Sequence, residues 1–232
     1  MARGGGLQVR RSQVERREES DKLMLRSAIK LIARQGVGNT TLAEVGLAAG
    51  YSRGLPIDRF GSKIGLVEAV LKSMEVWFDE QLSTSLREMK GLDAVKARIK
   101  AHLDSARKSP EGLTALFSIY IESLFGLPEI LPQIKRVMSG WRRGLIKNIR
   151  EGQEMNEIRL EIDCNQQATI ILGMLRGLQI DYLLGDRSAG LDAMEAALDV
   201  VIKEMISAKY VAKQTTPQRK PRAIATKSRP SR

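Results

Sequence analysis

The sequence predicts an all-α protein, and three observations carry that prediction. Apolar residues recur at three- and four-residue spacing through segment after segment. Runs of Val, Ile and Thr of the kind strands use are scarce, and aromatic residues are only 4% of the 232. Ser, Thr and Asp sit where periodic segments begin, and Gly or Pro where they stop. With 43% hydrophobic residues, the chain can bury a sizeable core as one large domain or two smaller ones.

The first helix is expected over 21–35. Leu25, Ala28, Ile29, Ile32 and Ala33 form one apolar face. Ser20 or Asp21 can cap its start and Gly36 its end. Thr41 and Glu44 then have the spacing of a capping box, which opens a short helix ending near Ala49. Gly50 terminates it, and Ser52 can cap a third helix from Arg53. Helix, short Gly-containing turn, helix is the spacing of a helix-turn-helix. Within "SRGLPIDRF", Pro56 falls in the first turn, where a missing N–H is tolerable. Gly54 has no side chain, so its backbone could approach another surface. Ser62 caps a fourth helix whose apolar residues Ile64, Leu66, Val67, Val70, Leu71, Met74, Trp77 and Phe78 cover more than one face. Such a helix must be buried on several sides.

The remainder reads as further helices. Val95, Ile99, Leu103 and Ala106 repeat within 93–108. Ser109-Pro110-Glu111 opens the next helix, which carries Leu113, Leu116, Phe117, Tyr120, Ile121 and Leu124. "FGLPEILP" breaks the chain before a helix with Ile134, Val137, Met138, Trp141, Leu145 and Ile149. "EGQEMNEIRLEID" reads as a polar connector. Helices near 165–184 and 191–208 follow, the first with Ala168, Ile171, Leu172, Leu175, Leu178, Gln179 and Tyr182 on its stripe.

The net charge of +11 is uneven. Residues 209–232 carry eight Lys or Arg and no acid, so the basic character lies mostly in a Pro-containing tail expected to be disordered. Such a tail can hold phosphates without sequence preference. The single cysteine, Cys164, fits a reducing compartment. The apolar run from Ala168 is too short to span a membrane, and the start lacks an apolar signal region. A cytoplasmic location with no membrane partner is expected. The lone His102 and Cys164 have no metal-ligand spacing around them, and no Gly-rich phosphate loop appears. Neither enzyme, metal nor cofactor is expected.

The stretch "TTLAEVGLAAGYSRGLPIDRFGSKIGLVEAV" resembles the DNA-binding segment of the tetracycline-repressor (TetR) family. Thr40, Thr41, Val45, Ala49, Gly50, Ser52, Arg53, Gly54, Phe60, Ser62, Lys63 and Leu66 match that pattern without gaps. The strong resemblance covers about 18–78. The family usually has Ala where this chain has Gly46, and Tyr, a phosphate contact, where it has Ile57.

The resemblance implies a basic flexible arm (1–17), a helix-turn-helix DNA-binding domain (18–78), a helical-bundle effector-binding and dimerisation domain (79–209) and a basic tail (210–232). It implies a homodimer bound to double-stranded DNA at an inverted repeat, and a repressor released by a small molecule. Thr40 and Thr41 would bond phosphates, and Tyr51 would pack or touch phosphate. Ser52, Arg53, Gly54, Leu55, Ile57, Asp58 and Arg59 would face DNA, and Lys63 would grip the backbone. Asp58 could equally pair with Arg59. Trp77, Phe78, Phe117, Tyr120, Met138, Trp141, Met174 and Tyr182 are candidate pocket residues, suggesting an apolar or aromatic effector. Ala168, Gly173, Gly177, Leu198, Val201 and Ile202 are candidate dimer residues. The competing reading is a dimeric interaction or ligand-binding module with only nonspecific DNA affinity.

Overall fold

The computed structural model describes residues 12–185, 187–206 and 211. The arm residues 1–11 and the basic tail from 212 lie outside the described residues. Among the described residues there are nine α-helices: α1 Gln13–Asn39, α2 Leu42–Ala48, α3 Leu55–Phe60, α4 Lys63–Leu86, α5 Gly91–Lys108, α6 Pro110–Glu122, α7 Leu131–Glu154, α8 Cys164–Leu184 and α9 Arg187–Met205. A 3-10 turn, Pro128–Ile130, precedes α7.

The first helix begins at Gln13, earlier than expected, so the end of the arm is helical. The reason is local. Ser12 and Glu15 form a capping box, with Ser12 N donating to Glu15 Oε2 at 2.7 Å and Glu15 N donating to Ser12 Oγ at 3.1 Å. No apolar run accompanies that box, because residues 12–19 are all exposed. At the other end Gly36 leaves helical geometry at φ 79°, a value that favours glycine.

Two main cores organise the helices. One joins α5, α7, α8 and α9 around Leu92, Val95, Ile99, Leu145, Ile149, Ala168, Leu172, Leu175 and Leu198. The other joins α1, α2 and α4 through Met24, Ala28, Ile32, Val45, Leu66 and Val70, but also takes in Ala115 and Ile119 of α6 and Ile130 and Ile134 before and in α7. Burying a side chain of this size is worth about 1.5–3 kcal/mol. The N-terminal helices therefore share their core with α6 and α7, and α4 runs on from that core to Phe78 and Leu82 of a third cluster against α5.

The 155–163 connector is anchored at both ends. Ile158 is fully buried and pairs with Ile206 in an isolated bridge. Arg159 N donates to Met205 O at 3.0 Å. Asp163 caps α8 by accepting from Gln166 N at 2.8 Å.

Candidate functional site

The Thr41–Glu44 capping box forms: Glu44 N donates to Thr41 Oγ1 at 3.2 Å, and Thr41 N donates to Glu44 Oε2 at 2.9 Å. The bonds from Thr41's backbone and hydroxyl hold the Glu44 carboxyl below its usual range. Gly50 takes φ 80° and turns the chain. The third helix starts at Leu55 rather than Arg53, yet Ser52 Oγ still accepts from Leu55 N at 3.3 Å. Pro56 is buried and sits against Gly46, where an added β-carbon would overlap the Ser52 carbonyl oxygen and lie 3.0 Å from Pro56 Cδ. This contact explains both unusual residues: α2 and α3 pack too closely for a side chain at 46. A β-carbon on Gly54, by contrast, would meet open space.

Part of this unit is open to solvent. Thr41, Ser52, Arg53, Gly54, Ile57 and Asp58 are exposed, as is Leu47 of α2. The other residues of the expected DNA-binding set are less open and contact the rest of the chain. Thr40 is buried, its hydroxyl donating to Gly36 O at 2.8 Å. Tyr51 and Leu55 pack into the N-terminal core. Arg59 turns back to α1, where its Nε lies 3.5 Å from Asp21 Oδ1. Lys63 Nζ donates to Gly38 O at 2.6 Å and Val37 O at 3.3 Å, tying α4 to the end of α1.

The second site is a cavity of about 940 Å³. Leu25 and Ile29 of α1 and Met74, Trp77 and Phe78 of α4 form one wall. His102 of α5, Leu113, Leu116, Phe117 and Tyr120 of α6, Trp141 of α7 and Leu172, Leu175, Arg176 and Gln179 of α8 complete it. Of the expected pocket residues, Trp77, Phe78, Phe117, Tyr120 and Trp141 line this cavity. Met138 packs into the N-terminal core, Met174 against the core of α5, α7, α8 and α9, and Tyr182 is buried within that same core. His102 forms a cluster with Phe78 and Trp141, its ring centroid 4.6 Å from the first and 5.1 Å, edge-on, from the second. Burial, with Arg176 and Arg98 nearby, pushes its imidazole down to about 3, so it is neutral near pH 7. Burial pushes the Tyr120 hydroxyl up to about 12 against the pull of Arg176. Burial also lowers Arg176 from its ordinary value. His102, Arg176 and Gln179 were missed from sequence as cavity residues. The available signal was Gln179, a polar residue in register with the buried stripe of α8.

Comparison with family models settles the kinship. A model for bacterial regulatory proteins of the tetR family matches residues 24–70, and one for the tetracyclin repressor-like C-terminal domain matches 91–198. The chain belongs to the TetR family. Like its family, it is a transcriptional regulator with a DNA-binding helix-turn-helix, and not an enzyme.

Solved TetR-like structures share the fold at low identity. A transcriptional regulator from Saccharomonospora viridis in complex with choline is 21% identical over 82% of this chain and 98% of its own, with a TM-score of 0.74. A TetR transcriptional regulator from Chloroflexus aurantiacus is 20% identical over 83% and 98%, also at 0.74. NalD, the secondary repressor of the MexAB-OprM multidrug efflux pump in Pseudomonas aeruginosa, is 16% identical over 82% and 97%, at 0.61. A search of curated proteins returned no match.

Within this TetR chain the expected dimer residues fall into two groups. Ala168, Leu198 and Ile202 are 0%, 1% and 6% exposed and packed in the chain's own core, which leaves them no surface for a partner. Val201 is half-buried against the same core. Gly173 and Gly177 are exposed, and a β-carbon on either would meet open space. Among the described residues no helix is long and apolar enough to cross a membrane.

Proposed function

We propose that this TetR-family regulator is a homodimeric repressor that leaves an inverted-repeat operator when a small molecule fills the cavity. The observation that carries this reading is the shared wall: Leu25 and Ile29 of α1 and Trp77 and Phe78 of α4 line the cavity, while the other parts of α1 and α4 pack against α2 and α3. A ligand that fits one placement of α1 and α4 better than another shifts the two reading units together.

In this reading Arg53 is the chief cation towards DNA. Its guanidinium suits guanine or phosphate. Exposed Ile57 and Leu47 offer apolar contact to a thymine methyl, and Asp58 can accept from a cytosine amino group. Thr41, Ser52 and Gly54 belong to the same exposed part of the unit. Thr40, Tyr51, Leu55, Arg59 and Lys63 hold the unit in shape. The dimer forms through the outer faces of α8 and α9, where Ile170, Gly173, Gly177, Ile180, Leu184 and Val200 are exposed at helical spacing. Two reading helices then sit roughly 34–36 Å apart, one turn of DNA.

Selection of bound sequences from a random DNA pool with the full chain tests the reading. It should converge on an inverted repeat, and Ile180→Glu should yield a monomer in light scattering that no longer enriches the repeat. A folded wild-type dimer that enriches no sequence would sink operator recognition and favour a nonspecific binder.

A further inference from the structure

The cavity is apolar in most of its lining, through residues such as Leu25, Ile29, Leu116, Phe117, Leu172 and Leu175. The other polar side chains of its lining, from Lys22 and Arg26 of α1 to Gln133 of α7, are exposed or bonded within the chain; four are neither: His102 of α5, Tyr120 of α6, and Arg176 and Gln179 of α8, one helical turn apart. Among the described residues, none of these four side chains makes a hydrogen bond or an ion pair. Gln179 is only 6% exposed. Buried polar groups are nearly always partnered, and an unpaired charge out of water is costly. Leu at 176 and 179 would continue the apolar lining set by Leu172 and Leu175, so the chain keeps two polar groups where apolar ones would stabilise it.

Their chemistry is one-sided. Arg176 carries the only charge of the four, since His102 is neutral and Tyr120 protonated near pH 7. The acids lining the cavity are Glu75 and Glu80 of α4. Glu75 is paired with Lys72 at 2.8 Å, and Glu80 is exposed. Neither is among the groups that act on Arg176. The set therefore presents a guanidinium fork, an amide N–H₂, a phenolic O–H and an imidazole N–H towards a largely apolar space. Its complement is an oxygen anion on an apolar body. A cation such as the choline held by the Saccharomonospora protein would meet Arg176 as a like charge. The volume, about 940 Å³, lies towards the top of the roughly 300–1,000 Å³ range of small-molecule pockets.

We propose that the effector is an amphipathic organic anion, a carboxylate on an apolar body, with Arg176 and Gln179 of α8 holding the carboxylate and the leucine- and phenylalanine-rich walls holding the rest. The proposal rests on the effector reading of this cavity and narrows it.

The chain's two tryptophans, Trp77 and Trp141, both line the cavity, so intrinsic fluorescence reports its occupation. The full-length protein is titrated with dodecanoate and with 1-dodecanol, which differ only in the head group, each below its aggregation concentration. Dodecanoate should bind at least ten-fold more tightly and raise the Tm. Arg176→Met should lose at least ten-fold for dodecanoate and nothing for dodecanol, while Arg176→Lys keeps part of the preference. The Tm of unliganded Arg176→Met should equal or exceed that of wild type, because a desolvated charge is gone; this also confirms folding. Equal affinity for both probes overturns the anion assignment, and an Arg176→Met variant that still prefers dodecanoate overturns Arg176 as the group that holds it; either leaves the effector cavity standing. If neither probe changes the fluorescence or the Tm, the cavity reading falls and this proposal with it.

Discussion

Around the reading unit Thr40, Thr41 and Lys63 bond to their own chain and Arg59 meets Asp21 as an ion pair without a hydrogen bond, whereas among the described residues His102, Tyr120, Arg176 and Gln179 around the cavity make neither kind of contact. The same residue types serve opposite ends. At the head, motif polar groups cap the short α2 and tie the short α3 and the start of α4 to α1. At the cavity, polar groups are left open inside an apolar shell, at a cost to the empty protein. Removing a polar group should then weaken the head and strengthen the cavity region, the usual opposition between stability and binding function.

His102 gives the widest separation. Its folded-state value is about 3 against an ordinary 6.5. Between those values the unfolded chain holds the extra proton. The contribution is intact above about pH 6.5 and is lost as pH falls towards 3, by up to about 1.4 kcal/mol per pH unit. His102→Leu carries no such proton. Urea unfolding at pH 7.5 and 4.5 should show the wild type losing more stability than the variant, by a few kcal/mol on this slope. Glu44, Asp79 and Glu151, whose values also shift, are present in both proteins and cancel in the difference. Parallel losses would mean that the imidazole is not held neutral in the cavity.

Gly46 tests the head from the packing side. A Gly-to-Ala change inside a helix ordinarily stabilises by up to about 1 kcal/mol. Here the new β-carbon would overlap the Ser52 carbonyl and crowd the Pro56 ring. Gly46→Ala should therefore destabilise by about 1–3 kcal/mol in urea unfolding. It should also lower operator affinity, because α3 must shift away from α2. A stabilised variant would show that α2 and α3 have room to spare, and that Gly46 and Pro56 are not a matched pair.

Local chemistry made much of this legible from sequence. The Thr41–Glu44 box, the Ser62 and Ser109 caps and the stripe of α8 depend on residues within a turn or two of each other. The Ser12–Glu15 box was equally local but stood apart from any apolar run, so the start of α1 was set too late. Long-range choices were hidden. Nothing near Arg59 or Lys63 announces that each reaches back to α1, and nothing near Leu198 or Ile202 says which side of α9 its own core takes. The cavity was half legible: aromatic residues at helical spacing suggested it, but Arg176 reads as a solvated arginine until α5, α6 and α8 close around it.

The smallest effects make the sharpest test of the head, because they split two cations that the sequence treats alike. Lys63→Met removes the donor to Val37 O and Gly38 O, and should cost about 1–2 kcal/mol of stability. Arg53 is exposed and has no ion-pair partner among the described residues. Arg53→Ala should leave stability within about 0.5 kcal/mol. It should weaken operator binding and, if Arg53 holds a phosphate, reduce the log–log salt slope by about one. Lys63→Met should leave that slope unchanged. The reverse pattern, in which Lys63→Met is stable but loses a unit of slope, would make Lys63 a phosphate ligand whose bonds to the end of α1 are given up on DNA. The contrast between a closed head and an open cavity would then hold only for the protein free of DNA.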